Sequence, residues 1–300
     1  MSAVVMGDPG AFEILHGSNP HTRNLWGMRK SVNRSQAAVQ WKTFAEQLRA
    51  AGVQVHVMPA VPDCPGLVYP ANAGIIAAGC FYPSNLLPSR ASERPHYEEF
   101  FVRLGFSVKP FGGGMIPFEG EADFFPWGGR TIFTHGRIER QRLTPSWRFP
   151  FYRRVYGFRS DVAALDELRK IVPSREILAL ELCDERYYHG DTCLCSFGPR
   201  REFLMAYMPA LTGPSRETLN RVAADKLIEM GEADAAVYAA NSFAATIRGA
   251  PHLFMPEQAS GELKRRITDL GVTLVEISVS EFLKKGGGSV KCMVFDLGET

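Results

Sequence analysis

The sequence predicts an α/β fold built of repeated units within one domain spanning residues 1–300. Three observations carry this expectation. Runs with helical apolar spacing alternate with short runs of period-two alternation. Nearly every helical run is halted by Gly or Pro before the strand that follows. No low-complexity linker divides the chain, since the Gly-rich stretches at 112–114 and 286–288 hold three residues each.

In order, the first helix is predicted from Ser35 to Ala51, where Gly52 stops it and VQVHVM follows as a strand. SERPHYEEFFVRL runs to Gly105 and leads into FSVKPF, and SDVAALDELRKIV runs to Pro173 and leads into EILALEL. PSRETLNRVAADKLIEM ends at Gly231 before DAAVYAA, and SGELKRRITDL ends at Gly271 before VTLVEI. Five helix–turn–strand units result, each long enough for one supersecondary unit, although residue identity is not shared among them.

Composition narrows the function classes. A 300-residue chain buries roughly three quarters of its unfolded surface and needs no disulfide or metal to hold together. With 45% hydrophobic and 22% charged residues it is neither disordered nor collagen-like. A formal net charge of +2 does not by itself demand a nucleic-acid or membrane partner. MSAVVMGDPGAF meets Asp8 and Pro9 before a signal-length apolar run, and no 18 uninterrupted apolar residues occur later, so no membrane association and a cytoplasmic location are expected. The six cysteines are sparse and irregular, and reduced thiols are expected. Cys193 and Cys195 in DTCLCSF read as buried strand cysteines, because no CxxC pair or His cluster completes a zinc set.

Three segments carry candidate chemistry. In LKKGGGSVKCMVF, Cys292 follows three glycines that let backbone approach a ligand, and Lys291 beside it favours a thiolate. An isolated cysteine behind such a turn is more often structural. In ELCDERYYHGDTCLC, His189 and Asp191 are two apart, so in an extended segment imidazole and carboxylate point to one face. The spacing alone also fits an ordinary polar turn. In FEGEADFF, Glu119, Glu121 and Asp123 crowd together among aromatics, which suits either a solvated acidic loop or a pocket for a cation. The three together match the needs of a cationic, electron-poor carbon such as that of a guanidinium. It requires a thiolate to attack it, an imidazole to move protons and carboxylates to hold its nitrogens.

FEGEAD, YHGDTC and GGGSVKCM, with ANAG upstream, resemble the motifs of the guanidino-group-modifying (pentein) superfamily. Its members include arginine deiminases, amidinotransferases, dimethylarginine dimethylaminohydrolases and arginine dihydrolases. The likeness extends from NPH at 19–21 through Cys292. It implies a five-bladed α/β propeller of ββαβ units with pseudo-fivefold symmetry around a central pocket. It implies that Cys292 attacks the guanidinium carbon and forms a covalent thiouronium adduct. His189 then protonates the leaving nitrogen and activates water, and Glu119 orients the histidine, with Glu121 near enough to exchange roles. Asp191, Asn72, Asn19 and Asp123 match substrate-facing positions, and Arg94 and Arg159 match arginines that hold a carboxylate or shape the pocket. Three positions depart from the pattern. Gly66 stands where many relatives have aspartate, with Asp63 the nearest carboxylate; Asn72 stands where deiminases commonly have aspartate; and Ala122 replaces a usual glycine. The pattern leans toward the arginine-dihydrolase and amidinotransferase side.

Residues 137–159, RIERQRLTPSWRFPFYRRVYGFR, interleave seven arginines with Trp147, Phe149, Phe151, Tyr152 and Tyr156. Such a stretch suits single-stranded nucleic acid, but near-zero net charge and the lack of an RNA-binding motif weigh against that. A lid over the pocket or a contact in a homo-oligomer is the better expectation. The activity expected is hydrolysis of C–N bonds in a small guanidino compound, arginine foremost, to ornithine or citrulline plus ammonia. Amidino transfer to an amine acceptor is the alternative. No metal or organic cofactor is expected, because nucleophile, acid and base are all side chains.

Overall fold

The computed structural model describes every residue except Met1, His16, Ser18, Leu25, Arg148, Phe149, Pro150 and Thr300. The architecture is mixed α/β, with five three-stranded sheets built to one plan. In each, the central strand pairs antiparallel with one neighbour and parallel with the other, and a helix lies in the crossover to the parallel strand.

Ser2–Gly7 is central in the first sheet, antiparallel to Phe295–Glu299 and parallel to Gln54–Met58 beyond helix Arg34–Ala51. The second comprises Gly74–Ala77, Cys80–Pro83 and Ser107–Val108, with helix Arg94–Arg103. The third comprises Phe124–Trp127, Arg130–His135 and Glu176–Glu181, with helix Ala164–Ile171. The fourth comprises Leu194–Phe197, Phe203–Ala206 and Leu227–Glu229, with helix Gly213–Ala223. The fifth comprises Phe243–Ile247, Ala250–Pro256 and Thr273–Ile277, with helix Gly261–Thr268.

The helix ends follow their residues. Asn33 caps the first helix by accepting from the Gln36 N–H, and Gly52 ends it in the left-handed region at φ 102°. The face this helix buries, through Ala37, Phe44, Ala45 and Leu48, packs with Phe243 and Phe254. Fully burying each such large apolar side chain contributes about 1.5–3 kcal/mol. Among the described residues, no helix is long and apolar enough to cross a membrane.

The fourth unit corrects the sequence reading. The parallel strand is Leu227–Glu229, and residues predicted as the strand DAAVYAA instead form a short helix, Glu232–Ala236, and the turn after it. The segment is rich in alanine, the strongest helix former, and buries Ala235, Tyr238, Ala239 and Ala240.

The arginine-rich segment forms a hairpin, Arg142–Pro145 with Tyr152–Val155, inserted between Arg130–His135 and helix Ala164–Ile171. Arg148 and Phe149 of that segment lie outside the described residues. Trp147 is fully exposed, Arg137 and Arg142 pair with Glu139, and Arg153 pairs with Glu185.

A tight turn precedes the first strand of every sheet. Pro70–Asn72, Gly120–Ala122, Gly190–Thr192 and Lys291–Met293 are single 3-10 turns, and the fifth is closed by the Asn241 N–H on the Tyr238 carbonyl at 2.9 Å. The turns at 70, 120 and 190 pack in succession, and the turn at 291 packs on that at 70. Asn241 bridges the remaining gap: its side chain donates to the Asp191 carbonyl at 3.1 Å and its own carbonyl accepts the Lys291 N–H at 3.0 Å. The five turns thus contact one another in a closed cycle.

Candidate active site

Most of the predicted site residues sit on those turns. Cys292 is within Lys291–Met293, one turn ahead of the strand Phe295–Glu299 rather than on it. His189 caps the turn Gly190–Thr192 and Asp191 lies inside it, so a tight turn rather than an extended segment presents the pair. Cys292, His189, Glu119, Asn72, Asn19 and Arg159 line one cavity of about 100 Å³. Gly286 and Gly288 line the cavity, and none of the three glycines from 286 to 288 leaves room for a side chain. A Cβ at Gly286 would lie 1.9 Å from Tyr69 Oη, and one at Gly287, where φ is +78°, would lie 2.6 Å from Asn19 Oδ1. Asn19 Nδ2 donates to the Gly286 carbonyl at 2.9 Å, and Tyr188 Oη donates to the Gly287 carbonyl at 2.7 Å.

His189 Nε2 donates to Glu119 Oε2 at 2.9 Å. Both groups are almost wholly buried. Burial alone would raise the Glu119 pKa, but the His189 hydrogen bond and charge, with Arg90 and Arg159 behind them, outweigh it and lower the value to about 2. For His189, burial works against the cation, yet Asp123, Glu119 and Asp191 together raise its pKa above the ordinary imidazole value. Its second ring nitrogen, Nδ1, is buried with no partner among the described residues, which leaves it open to exchange a proton with a ligand.

Cys292 Sγ donates to Asp191 Oδ2 at 3.5 Å and accepts from Asn241 Nδ2 at 3.2 Å. Burial, and next the Asp191 carboxylate, push the thiol well above its usual range. Burial likewise raises Asp191 to about 6; its Oδ1 has no partner among the described residues, and Asp191 itself does not line the cavity. A cation entering here would relieve both groups at once.

Other sequence expectations fare differently. Asp123 does not line the cavity, for its carboxylate accepts from Thr134 Oγ1 and Ser160 Oγ, each at 2.6 Å, and from the Gly190 N–H at 2.9 Å. It braces the His189 turn. Arg94 also lies outside the cavity, held by Glu98 at 2.7 Å and Asn85 at 3.0 Å. In its place Arg90 lines the cavity beside Arg159, donating to Asn72 Oδ1 at 3.0 Å and gripping Glu93 through two bonds of 2.9 and 2.7 Å. Arg159 is buried with its guanidinium over the Tyr188 ring, 5.1 Å from the centroid, and its Nη1 donates to the Gly157 carbonyl.

Glu121 turns away from the cavity to meet Lys291 Nζ at 2.6 Å, and Glu119 is the carboxylate bonded to His189. Gly66 leaves space for Glu93, since a Cβ on it would lie 2.1 Å from Glu93 Oε1. A carboxylate therefore lines the cavity at this point despite the glycine, supplied from a different helix turn. Ala122, in place of the usual glycine, sits fully buried in a regular turn. Cys193 and Cys195 are buried free thiols, though only Cys195 is on a strand. Among the described residues, no group of three or more His, Cys, Asp or Glu side chains is placed to hold a metal.

Arg90, Glu93, Tyr188 and Asn241 were missed in the sequence reading. A signal for Asn241 existed: AANSF precedes the strand FAATI as PANAG precedes GIIA, so both asparagines occupy the turn before a first strand.

A buried thiol and an imidazole held by a carboxylate meet here on five ββαβ sheets, and the chain's homologues and structural neighbours are enzymes of the guanidino-group-modifying superfamily. Its relatives are specific. The bifunctional arginine dihydrolase/ornithine cyclodeaminase AgrE of Nostoc sp. is 30% identical over 297 residues, covering 98% of this chain and 38% of that protein. The chain thus spans well under half of that relative's length. The N(G),N(G)-dimethylarginine dimethylaminohydrolase of Mycobacterium tuberculosis is 26% identical over 294 residues, covering 97% of this chain and 84% of the other. The crystal structure of the N-terminal domain of ArgZ bound to product, an arginine dihydrolase of cyanobacteria, matches with a TM-score of 0.83 at 25% identity, over 99% of this chain and 98% of that one. No protein-family model matches the chain.

Proposed function

We propose that the chain is a hydrolase that cleaves C–N bonds of a free guanidino compound, arginine foremost, through a covalent Cys292 adduct. The observation that carries this is the thiol bonded to Asp191 beside a cavity lined by the His189–Glu119 pair, with His189 Nδ1 buried and unpartnered among the described residues. A guanidinium in the cavity supplies positive charge beside a thiol raised by burial and near the Asp191 carboxylate bonded to that thiol. The names of the relatives favour water over an amine as the second nucleophile.

In this reading the Cys292 thiolate forms a C–S bond to the guanidinium carbon, and the carbon–nitrogen π pair moves onto nitrogen. A terminal nitrogen leaves as ammonia with a proton from His189 Nδ1, and the thiouronium remains. Water gives a proton to His189 and attacks the same carbon. Breaking the C–S bond then returns the thiolate and gives citrulline. A second passage that also breaks the bond to the chain nitrogen gives ornithine, carbon dioxide and a second ammonia. Glu119 keeps the imidazole oriented and its cation stabilised. Asn19 and Asn72 face the substrate, and Arg159 with Arg90, in place of Arg94, holds its carboxylate end. We take residues 1–300 as one domain, a five-bladed α/β propeller; the closed cycle of five turns supports that arrangement.

Mass spectrometry of products from arginine, agmatine, dimethylarginine and guanidinoacetate, with and without glycine or lysine, tests the reading. Citrulline or ornithine with ammonia and no acceptor requirement is expected, and Cys292→Ser should abolish it while leaving the fold intact. Product formed only with an acceptor would replace the hydrolase by an amidinotransferase. Full turnover by Cys292→Ser would sink the mechanism.

A further inference from the structure

Four of the five turns supply side chains already placed in the site: Asn72, Glu119, His189 with Asp191, and Cys292. The fifth carries Asn241, which is fully buried. Every hydrogen-bonding position of its amide is used. Oδ1 accepts the Ser289 N–H at 3.0 Å and the Cys292 N–H at 3.1 Å, while Nδ2 donates to the Asp191 carbonyl at 3.1 Å and to Cys292 Sγ at 3.2 Å.

The two ends of an amide are distinguished by their partners. A flip here would set the NH2 group against two backbone N–H donors and the oxygen against a carbonyl and the sulfur. The donor is therefore locked onto Sγ. The sulfur needs it, because its other polar side-chain neighbour is the Asp191 carboxylate at 3.5 Å, which opposes a negative charge on sulfur.

We propose that Asn241 is a catalytic residue whose Nδ2–H group stabilises the Cys292 thiolate and aims the sulfur at the cavity. This deepens the functional reading above and rests on Cys292 being the nucleophile. A hydrogen bond to an ionised sulfur is stronger than one to the neutral thiol, so the bond favours ionisation. The same amide ties the nucleophile's turn to that of Asp191, which fixes the distance between thiol and carboxylate.

The pH profile of Cys292 alkylation by iodoacetamide tests the proposal, with peptide mapping to separate Cys292 from the exposed Cys183. Asn241→Asp keeps an acceptor for the two backbone N–H groups but removes the donor and adds negative charge. Asn241→Ser is neutral and too short to reach the sulfur. In Asn241→Asp the alkylation rate at pH 8 should fall at least tenfold and the midpoint should rise by at least one pH unit. Asn241→Ser should shift in the same direction by less. A folded variant of either kind whose alkylation profile superimposes on that of the wild type overturns the proposal, and if the aspartate variant does not fold, the serine variant decides. Alkylation needs no guanidino substrate, so this proposal and the functional reading fail separately.

Discussion

Glu119 and Glu121 stand two residues apart in FEGEAD, and the fold sends them to opposite environments. Glu119 faces the cavity, where His189 and two arginines pull its carboxyl down to about 2. Glu121 faces the far side of the turn, where it meets Lys291 Nζ and the Asp296 N–H at 3.0 Å. Burial nevertheless leaves its pKa above the ordinary carboxylate range, because Lys291 only partly offsets desolvation. In the proposed reading one carboxylate serves the imidazole that moves protons, while the other holds together the turn that carries Cys292. A 3-10 helix has three residues per turn, so residues two apart point about 240° apart around it.

The comparison is sharpened most by Glu119→Gln. Removing the charge behind a general acid–base group should lower kcat by about 10²–10⁴-fold, with little change in KM. A drop of less than threefold would break the assignment of Glu119. The pH dependence of stability follows from the same site. Glu119 has a folded pKa below its unfolded value of 4.5, so its contribution is present above pH 4.5 and lost as pH falls toward 2. The loss of stability between pH 4.5 and 2 should therefore be shallower in Glu119→Gln than in wild type when followed by urea midpoints. Glu121 has the opposite sign. Its raised pKa favours the folded state most below pH 4.5 and loses that contribution as pH rises through the folded value.

Glu121→Leu should act on stability instead. It strands the Lys291 ammonium, a loss of about 3–5 kcal/mol for a broken buried pair, while kcat of the folded fraction stays within tenfold. Unchanged urea unfolding would show that the pair is not structural. The smallest effect is expected at Gly66. Gly66→Asp forces a side chain onto Glu93 Oε1, and overpacking of this kind costs about 1–3 kcal/mol. Adding Glu93→Ala should restore part of that loss by vacating the space and leaving the new aspartate as the partner of Arg90. A single Gly66→Asp variant as stable as wild type would show that Glu93 does not occupy the place of that side chain.

The arginines illustrate where the sequence reading stopped. Arg94 and Arg90 lie four apart in PSRASERPHY with nothing in the local pattern to separate them. The structure places Arg90 against Asn72 and Glu93 inside the cavity and spends Arg94 on Glu98 along its own helix. The choice depends on how that helix sits against the turn at Asn72, a long-range contact that no local window contains. Asn241 was missed for a related reason, since an asparagine between Ala240 and Ser242 reads as a turn residue until the turn is seen to rest on Cys292.

What the sequence determined by itself was short-range. The helical and period-two patterns and their Gly and Pro stops marked four of the five units and, in those four, the parallel strand that follows the helix, and the motif residues Cys292, His189, Glu119 and Asp191 were identifiable from their neighbours. The tertiary structure alone decided which carboxylate faces His189, that Arg90 rather than Arg94 enters the cavity, that Glu93 occupies the space left by Gly66, and that Asn241 donates to the sulfur. Those outcomes depend on side chains brought together from separate sheets. Their pairing free energy exists only once the five turns are packed against one another and water is excluded from between them.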